Sequence, residues 1–211
     1  MALPPLVVAG QLADPEAETL SGVRIDNRLA FQEATSYLIS LGHRSFCFLR
    51  HEDSSLFFRD TELGIRDALD AHDLAPTLLR VTETGNGTEH VRSGVRRLLN
   101  TLPHPTSIIC GNDDIAIAAL AELRSAGVRV PEDISVLGCD DIRYAAISEP
   151  PLTTIGQSSR EIGEKAVYSL LKAIRHPDTA MEYVRIAHRL IIRDSVAPPI
   201  TALARRPSKV A

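Results

Sequence analysis

Val130-Pro131-Glu132-Asp133-Ile134-Ser135-Val136-Leu137-Gly138-Cys139-Asp140-Asp141, answered by Pro150-Pro151-Leu152-Thr153-Thr154-Ile155, is the stretch on which the fold turns. Ile134 to Leu137 is a short, mostly apolar run held between Pro131 and Gly138. A strand buried on both faces of a parallel sheet has this character. Gly138 is expected to turn the backbone at the strand's end, and Asp140 and Asp141 follow almost at once. In open α/β sheets, ligands are met outside the carboxyl ends of the strands. The two carboxylates therefore stand where a ligand is expected.

The rest of the chain alternates in the same way. Leu6 to Ala9 reads as a strand, the polar stretch Gly10 to Ser21 as a loop, and Val23-Arg24-Ile25 as a second strand. Asp26-Asn27 caps a helix with Phe31, Ala34, Leu38 and Leu41 on one face, closed by Gly42. The strand Ser45 to Leu49, a helix over Phe58 to His72 and the strand Leu78 to Val81 follow. Next come a helix carrying Val91, Val95, Leu98 and Leu99, the strand Ser107 to Cys110, and a helix begun at Asp113 and ended at Gly127. Beyond the central stretch, a long helix over Ser159 to Ile174 is expected to bury Ile162, Ala166, Leu170 and Ile174, and a strand to run from Val184 to Ile192. Repeated strand–helix alternation marks a parallel sheet covered on both sides.

The words Val-Pro-Glu-Asp-Ile-Ser-Val at 130–136, Gly138, Asp140-Asp141 and Pro150 to Ile155 resemble the signature of the effector-sensing domain of LacI/GalR transcriptional regulators. Asp26-Asn27, Leu41 to Arg44, Arg193-Asp194-Ser195 and Ala197-Pro198-Pro199 resemble that family too. The resemblance implies an α/β fold of the type I periplasmic-binding-protein-like class, with one complete doubly wound subdomain and one incomplete one. Residues 26–155 and 188–198 would form the C-terminal subdomain, 1–25 and 156–187 pieces of the N-terminal one, and 199–211 a disordered tail. It further implies that most of the N-terminal subdomain, the hinge and the helix-turn-helix precede Met1, so that DNA is met only through an upstream region. With one wall of the cleft missing, effector binding is expected to be weakened or lost. A homodimer is the family expectation.

By the same resemblance, Asp140, Asn112 and Gln157 match effector contacts. An ionised carboxylate accepts hydrogen bonds from sugar hydroxyls, and an amide both donates and accepts. The plain alternatives are a turn-forming Asn112 and a helix-capping Asp140; Asp113 and Asp141 are read as caps. The family places an arginine three residues before the glycine of the second helix. Here that glycine is Gly64, the matching position is Thr61, and Arg59 stands two residues earlier. A two-residue shift swings a side chain roughly 200° about a helix axis, so Arg59 joins the candidate set only if the first turn is irregular. Cys139 stands where the family commonly has an aromatic residue.

Composition narrows the classes further. The formal charge of −4 over 211 residues, with the only basic cluster at Arg205, Arg206 and Lys209, argues against a nucleic-acid surface. No apolar run approaches the roughly 18 residues of a membrane span, and the start at Met1 lacks the pattern of a signal peptide. A cytoplasmic location follows as an expectation. Cys47, Cys110 and Cys139 have neither disulfide nor zinc spacing, although Cys110 and Cys139 end neighbouring strands. No metal and no cofactor are expected. Gly85-Asn86-Gly87 lacks the third glycine of a dinucleotide fingerprint, and no hydrolase, zincin or P-loop motif is present, so the chain is not read as an enzyme. The alternatives to a sensing domain are a fragment of a periplasmic-type sugar-binding transport protein and a non-functional remnant.

Overall fold

The computed structural model describes residues 5–10, 22–52, 56–176 and 183–200. Two sheets divide the elements. The larger has six strands in the order β4-β3-β5-β6-β7-β9 and the smaller three, β1-β2-β8. The strands of the larger are β3 (Phe46–His51), β4 (Leu79–Thr84), β5 (Ser107–Cys110), β6 (Ser135–Asp140), β7 (Thr153–Gln157) and β9 (His188–Ile191). The smaller holds β1 (Val8–Ala9), β2 (Gly22–Ile25) and β8 (Val184–Ile186). All pairings are parallel except β7 with β9.

Helices cover both faces of the large sheet because its strands are apolar on both. Phe46, Phe48, Ile109, Leu137 and Cys139 pack toward α1 (Asn27–Ser40) and α2 (Leu56–Ala71), burying Phe31, Leu38, Ile65 and Leu69. Cys47, Leu49, Ile108, Cys110 and Val136 pack on the opposite side toward α3 (Thr88–Leu99) and α4 (Asp113–Ser125). Side chains alternate across a strand, which is why Cys110 and Cys139 fall on opposite faces instead of meeting. All three thiols are buried, and burial pushes the Cys47 thiol up to about 11.

Capping follows the sequence closely. Asp26 accepts from the Leu29 amide at 3.0 Å to start α1, and Gly42 takes φ +101° beyond its end, a conformation that favours glycine. His43, fully buried, is held between the Thr106 hydroxyl and the Ala197 carbonyl, each at 3.0 Å. Burial lowers its pKa.

Two expectations about the end of the chain are corrected. The run Val184 to Ile192 is two strands in two different sheets, with Ala187 between them. On α5 (Ser159–Arg175), Ile162 and Ala173 are buried and Ile174 is 58% exposed. The helix packs on the narrow three-stranded sheet, which covers a shorter stripe than a wide sheet does. The chain crosses from one sheet toward the other after β2, after β7 and after β8, where Asp26 joins β2 to α1, Ser158 joins β7 to α5 and Ala187 joins β8 to β9. The loop over 11–21 and the tail over 201–211 lie outside the described residues.

Candidate functional site

The carboxyl ends of β5, β6 and β7 lie side by side in the large sheet, bringing three of the four expected residues to one edge. Gln157, the last residue of β7, donates from Nε2 to Oδ1 of Asp140, the last residue of β6, at 2.7 Å. Asn112, between β5 and α4, caps α4 by accepting from the Ile115 amide at 2.9 Å. Each keeps unspent capacity. Among the described residues no donor meets Asp140 Oδ2 or Gln157 Oε1, and no acceptor meets the Asn112 side-chain amide. Burial raises Asp140 to about 6, with a further push from Asp114 and opposition from the Gln157 hydrogen bond. Such a set offers acceptors, donors and a titratable group to a hydroxylated ligand.

Among the described residues Arg59 makes no hydrogen bond or ion pair with these three. It sits in the first turn of α2 with its side chain 59% exposed, 3.9 Å from Asp60. Thr61, at the family's arginine position, is fully buried and donates to the Phe58 carbonyl at 3.0 Å. The helix is regular here, so the two-residue offset holds and the two side chains face opposite ways.

The turn after β6 is built by residues whose roles differ from the sequence reading. Asp141 is not a helix cap; its Oδ1 accepts from Arg193 at 2.6 Å, while Arg193 also donates to the Leu152 carbonyl at 2.8 Å. Asp140 and Asp141 both have positive φ, 113° and 51°, an uncommon conformation for residues with a side chain. Asp113 is fully buried, and its Oδ1 accepts from the Thr154 hydroxyl at 2.6 Å and its Oδ2 from the Ile142 amide at 2.9 Å. Burial lifts it to about 6 against these two bonds, with added repulsion from Asp140 and Asp141. Gly138 lies inside β6 instead of ending it, and a Cβ there would collide with Asp113 Oδ1. Sequence reading missed Asp113, Thr154 and Arg193. The one available signal was a second aspartate beside Asn112, and nothing in its spacing pointed to β7.

A separate cavity of about 600 Å³ opens between α3 and α4, walled by Val91, Ile115, Ile117 and Ala118. Tyr144 and Ile147 close its rim and are 56% and 72% exposed.

Comparison with known proteins accounts for this architecture. A family described as a periplasmic binding protein-like domain matches residues 35–196. The HTH-type transcriptional repressor PurR of Haemophilus influenzae (strain PittEE) is 36% identical over 166 residues, 77% of this chain and 49% of the relative. The chain thus spans about half the length of the curated relatives it matches. A LacI family regulator from Enterococcus faecium with bound ribose superposes with a TM-score of 0.80 at 28% identity, covering 85% of this chain and 66% of that one. The transcriptional regulator CelR in complex with cellobiose gives 0.77 at 30% identity, covering 88% and 57%.

Proposed function

The chain belongs to the periplasmic-binding-protein-like family in the form carried by LacI-type transcriptional regulators, and from that premise we propose that it senses a small polyhydroxylated effector, a sugar or a nucleoside. The carrying observation is the Gln157–Asp140 pair at the ends of β7 and β6, with acceptor capacity left on both partners. Asn112 supplies the matching donors. Arg59 has no part in this reading. Ribose and cellobiose in the two similar structures support a sugar as the ligand class.

We take the two sheets as two lobes, with residues 26–155 and 188–198 in one and 1–25 and 156–187 in part of the other. A ligand that binds one lobe arrangement better than another shifts the population toward it. In a protein as long as its repressor relatives, that shift is the proposed signal to a DNA-reading part acting in the cytoplasm. The chain is not proposed as an enzyme. We also propose that Tyr144, Ile147 and the apolar wall of α4 form the contact with a second copy of the chain, since exposed apolar surface gathered around one cavity marks an interface.

Titration calorimetry with D-ribose and cellobiose tests the sensing role. Binding by the wild-type chain that drops at least about tenfold in Asp140→Ala, a loss of about 1.4 kcal/mol, is the expected result. Silence of the folded chain toward both sugars and a wider set of sugars and nucleosides would overturn it.

A further inference from the structure

The three residues assigned to the effector come from three different segments: the β5–α4 junction, the end of β6 and the end of β7. One buried side chain touches all three. Asp113 is the neighbour of Asn112 in sequence. Its Oδ2 takes the amide hydrogen of Ile142, two residues past Asp140, and its Oδ1 takes the hydroxyl of Thr154, three residues before Gln157. Gly138 leaves the space this carboxylate fills, and Asp113 is wholly shielded from solvent.

A buried carboxylate is costly unless its oxygens are satisfied by donors. A neutral residue would hold a helix start more cheaply, and Asn112 already performs that task for α4. What Asp113 adds is a buried tie from the turn that carries Asp140 to Thr154 within the strand that carries Gln157, whereas Arg193 reaches only Asp141 and, at the strand's start, Leu152 and Thr153. That turn holds two residues at positive φ, a conformation that persists only where surroundings over-determine it. The titratable and charged groups around Asp140 are Asp114 and Asp113 from α4, Asp141 with its partner Arg193, and the Cys139 thiol, which burial keeps neutral.

We propose that Asp113 is a positioning residue of the site, holding Asp140 at hydrogen-bonding distance from Gln157 without meeting the ligand itself. This rests on the sensing role proposed above for those two residues, and its test has an arm that needs no ligand.

In the full chain, the side-chain amide resonance of Gln157, assigned by its disappearance in Gln157→Glu, is followed by 15N–1H spectroscopy from pH 4 to 8. In the wild type it titrates with a midpoint near 6 as Asp140 ionises. In Asp113→Ala the pair loosens, and the amplitude of the Gln157 amide shift between pH 4 and 8 drops at least by half. Asp113→Asn keeps an oxygen for the Ile142 amide and an amide for the Thr154 hydroxyl while removing the same charge as Asp113→Ala, and restores the wild-type amplitude. Should Asp113→Ala fail to fold, Thr154→Val removes one of the two bonds and shows the same change at smaller amplitude. A folded Asp113→Ala or Thr154→Val with an unchanged Gln157 titration overturns the proposal. Calorimetry with D-ribose and cellobiose on the same proteins is the second arm. Affinity that follows the titration, lost in Ala and recovered in Asn, supports the positioning role. Affinity unchanged in Asp113→Ala counts against it. A wild type that binds neither sugar defeats the sensing role alone, and the amide titration still decides Asp113.

Discussion

Gly138 and Asp113 share one space: the face of β6 left bare by the glycine is filled by the carboxylate of the first residue of α4. Any side chain at 138 must displace Asp113 or push against Leu152, whose Cδ2 would lie 2.9 Å from the added carbon. Gly138→Ala is therefore expected to destabilise the fold by about 1–3 kcal/mol, the usual penalty for overpacking a filled core. Gly163, in α5, has nothing within 4 Å of such a carbon, so Gly163→Ala is expected to stabilise by up to about 1 kcal/mol through helix propensity. Urea midpoints measured on the two variants should move in opposite directions.

The elevated pKa of Asp140 sets a pH dependence of definite sign. A carboxylate held at about 6 in the folded state binds its proton more tightly there than in the unfolded chain, where 3.8 is the reference. Its favourable contribution is complete below the unfolded value and disappears as pH rises through about 6. Asp140→Asn keeps an acceptor for Gln157 and removes the charge. The variant should match the wild type in unfolding free energy near pH 4 and exceed it at pH 7.5, by roughly 1–3 kcal/mol for a shift of this size. His43, whose lowered pKa acts in the opposite direction, is common to both proteins and cancels in the difference. A gap that is constant with pH would contradict the assignment.

Ser195 locks the returning chain beneath the sheet. Fully buried, its hydroxyl donates to the Val136 carbonyl at 2.6 Å and accepts from the Thr153 amide at 2.8 Å, bridging β6 and β7. Ser195→Ala strands one donor and one acceptor, and a loss of about 1–3 kcal/mol is expected in chemical denaturation.

The cavity between α3 and α4 leads to a prediction about assembly. Ile147→Glu places a charge on an exposed rim residue that supports no core. The variant should keep its circular dichroism and run as a monomer in light scattering, while the wild type runs as a dimer. Identical masses for the two proteins would remove this surface from the dimer.

The middle of the large sheet and its helices can be read from local pattern because β3, β5 and β6 are largely apolar runs buried on both faces and α1 and α4 each begin at a side-chain cap. Asp26, Gly42 and Asn112 are examples of signals that act within a few residues of where they stand. The site is readable only as far as strand ends are. Asp140 can be placed just past a strand end from local pattern and Gln157 only through the resemblance to the family, and their hydrogen bond depends on Asp113 and Thr154, 41 residues apart in the chain. Nothing local encodes such a bond. The break at Ala187 is hidden from local pattern, since two short strands in series have the same alternation as one long strand; the resemblance to the family alone implies a boundary there. Ile174 was misplaced for a related reason: periodicity identifies a face but not how far along the helix a partner extends.

Asp26 joins β2 of the small sheet to α1, Ser158 joins β7 of the large sheet to α5, Ala187 joins β8 to β9, and the first two are at the same time the N-caps of α1 and α5. A tether of one residue has no slack to absorb rotation. Any swing of the small sheet must be taken up in the backbone angles of these three residues, and it pulls directly on the Leu29 and Glu161 amides that Asp26 and Ser158 hold. In the two-lobe reading proposed above, motion of one lobe would be geared to the fraying or tightening of two helix ends, and a glycine inserted at either cap would let the sheets move while the helices stayed deaf to them.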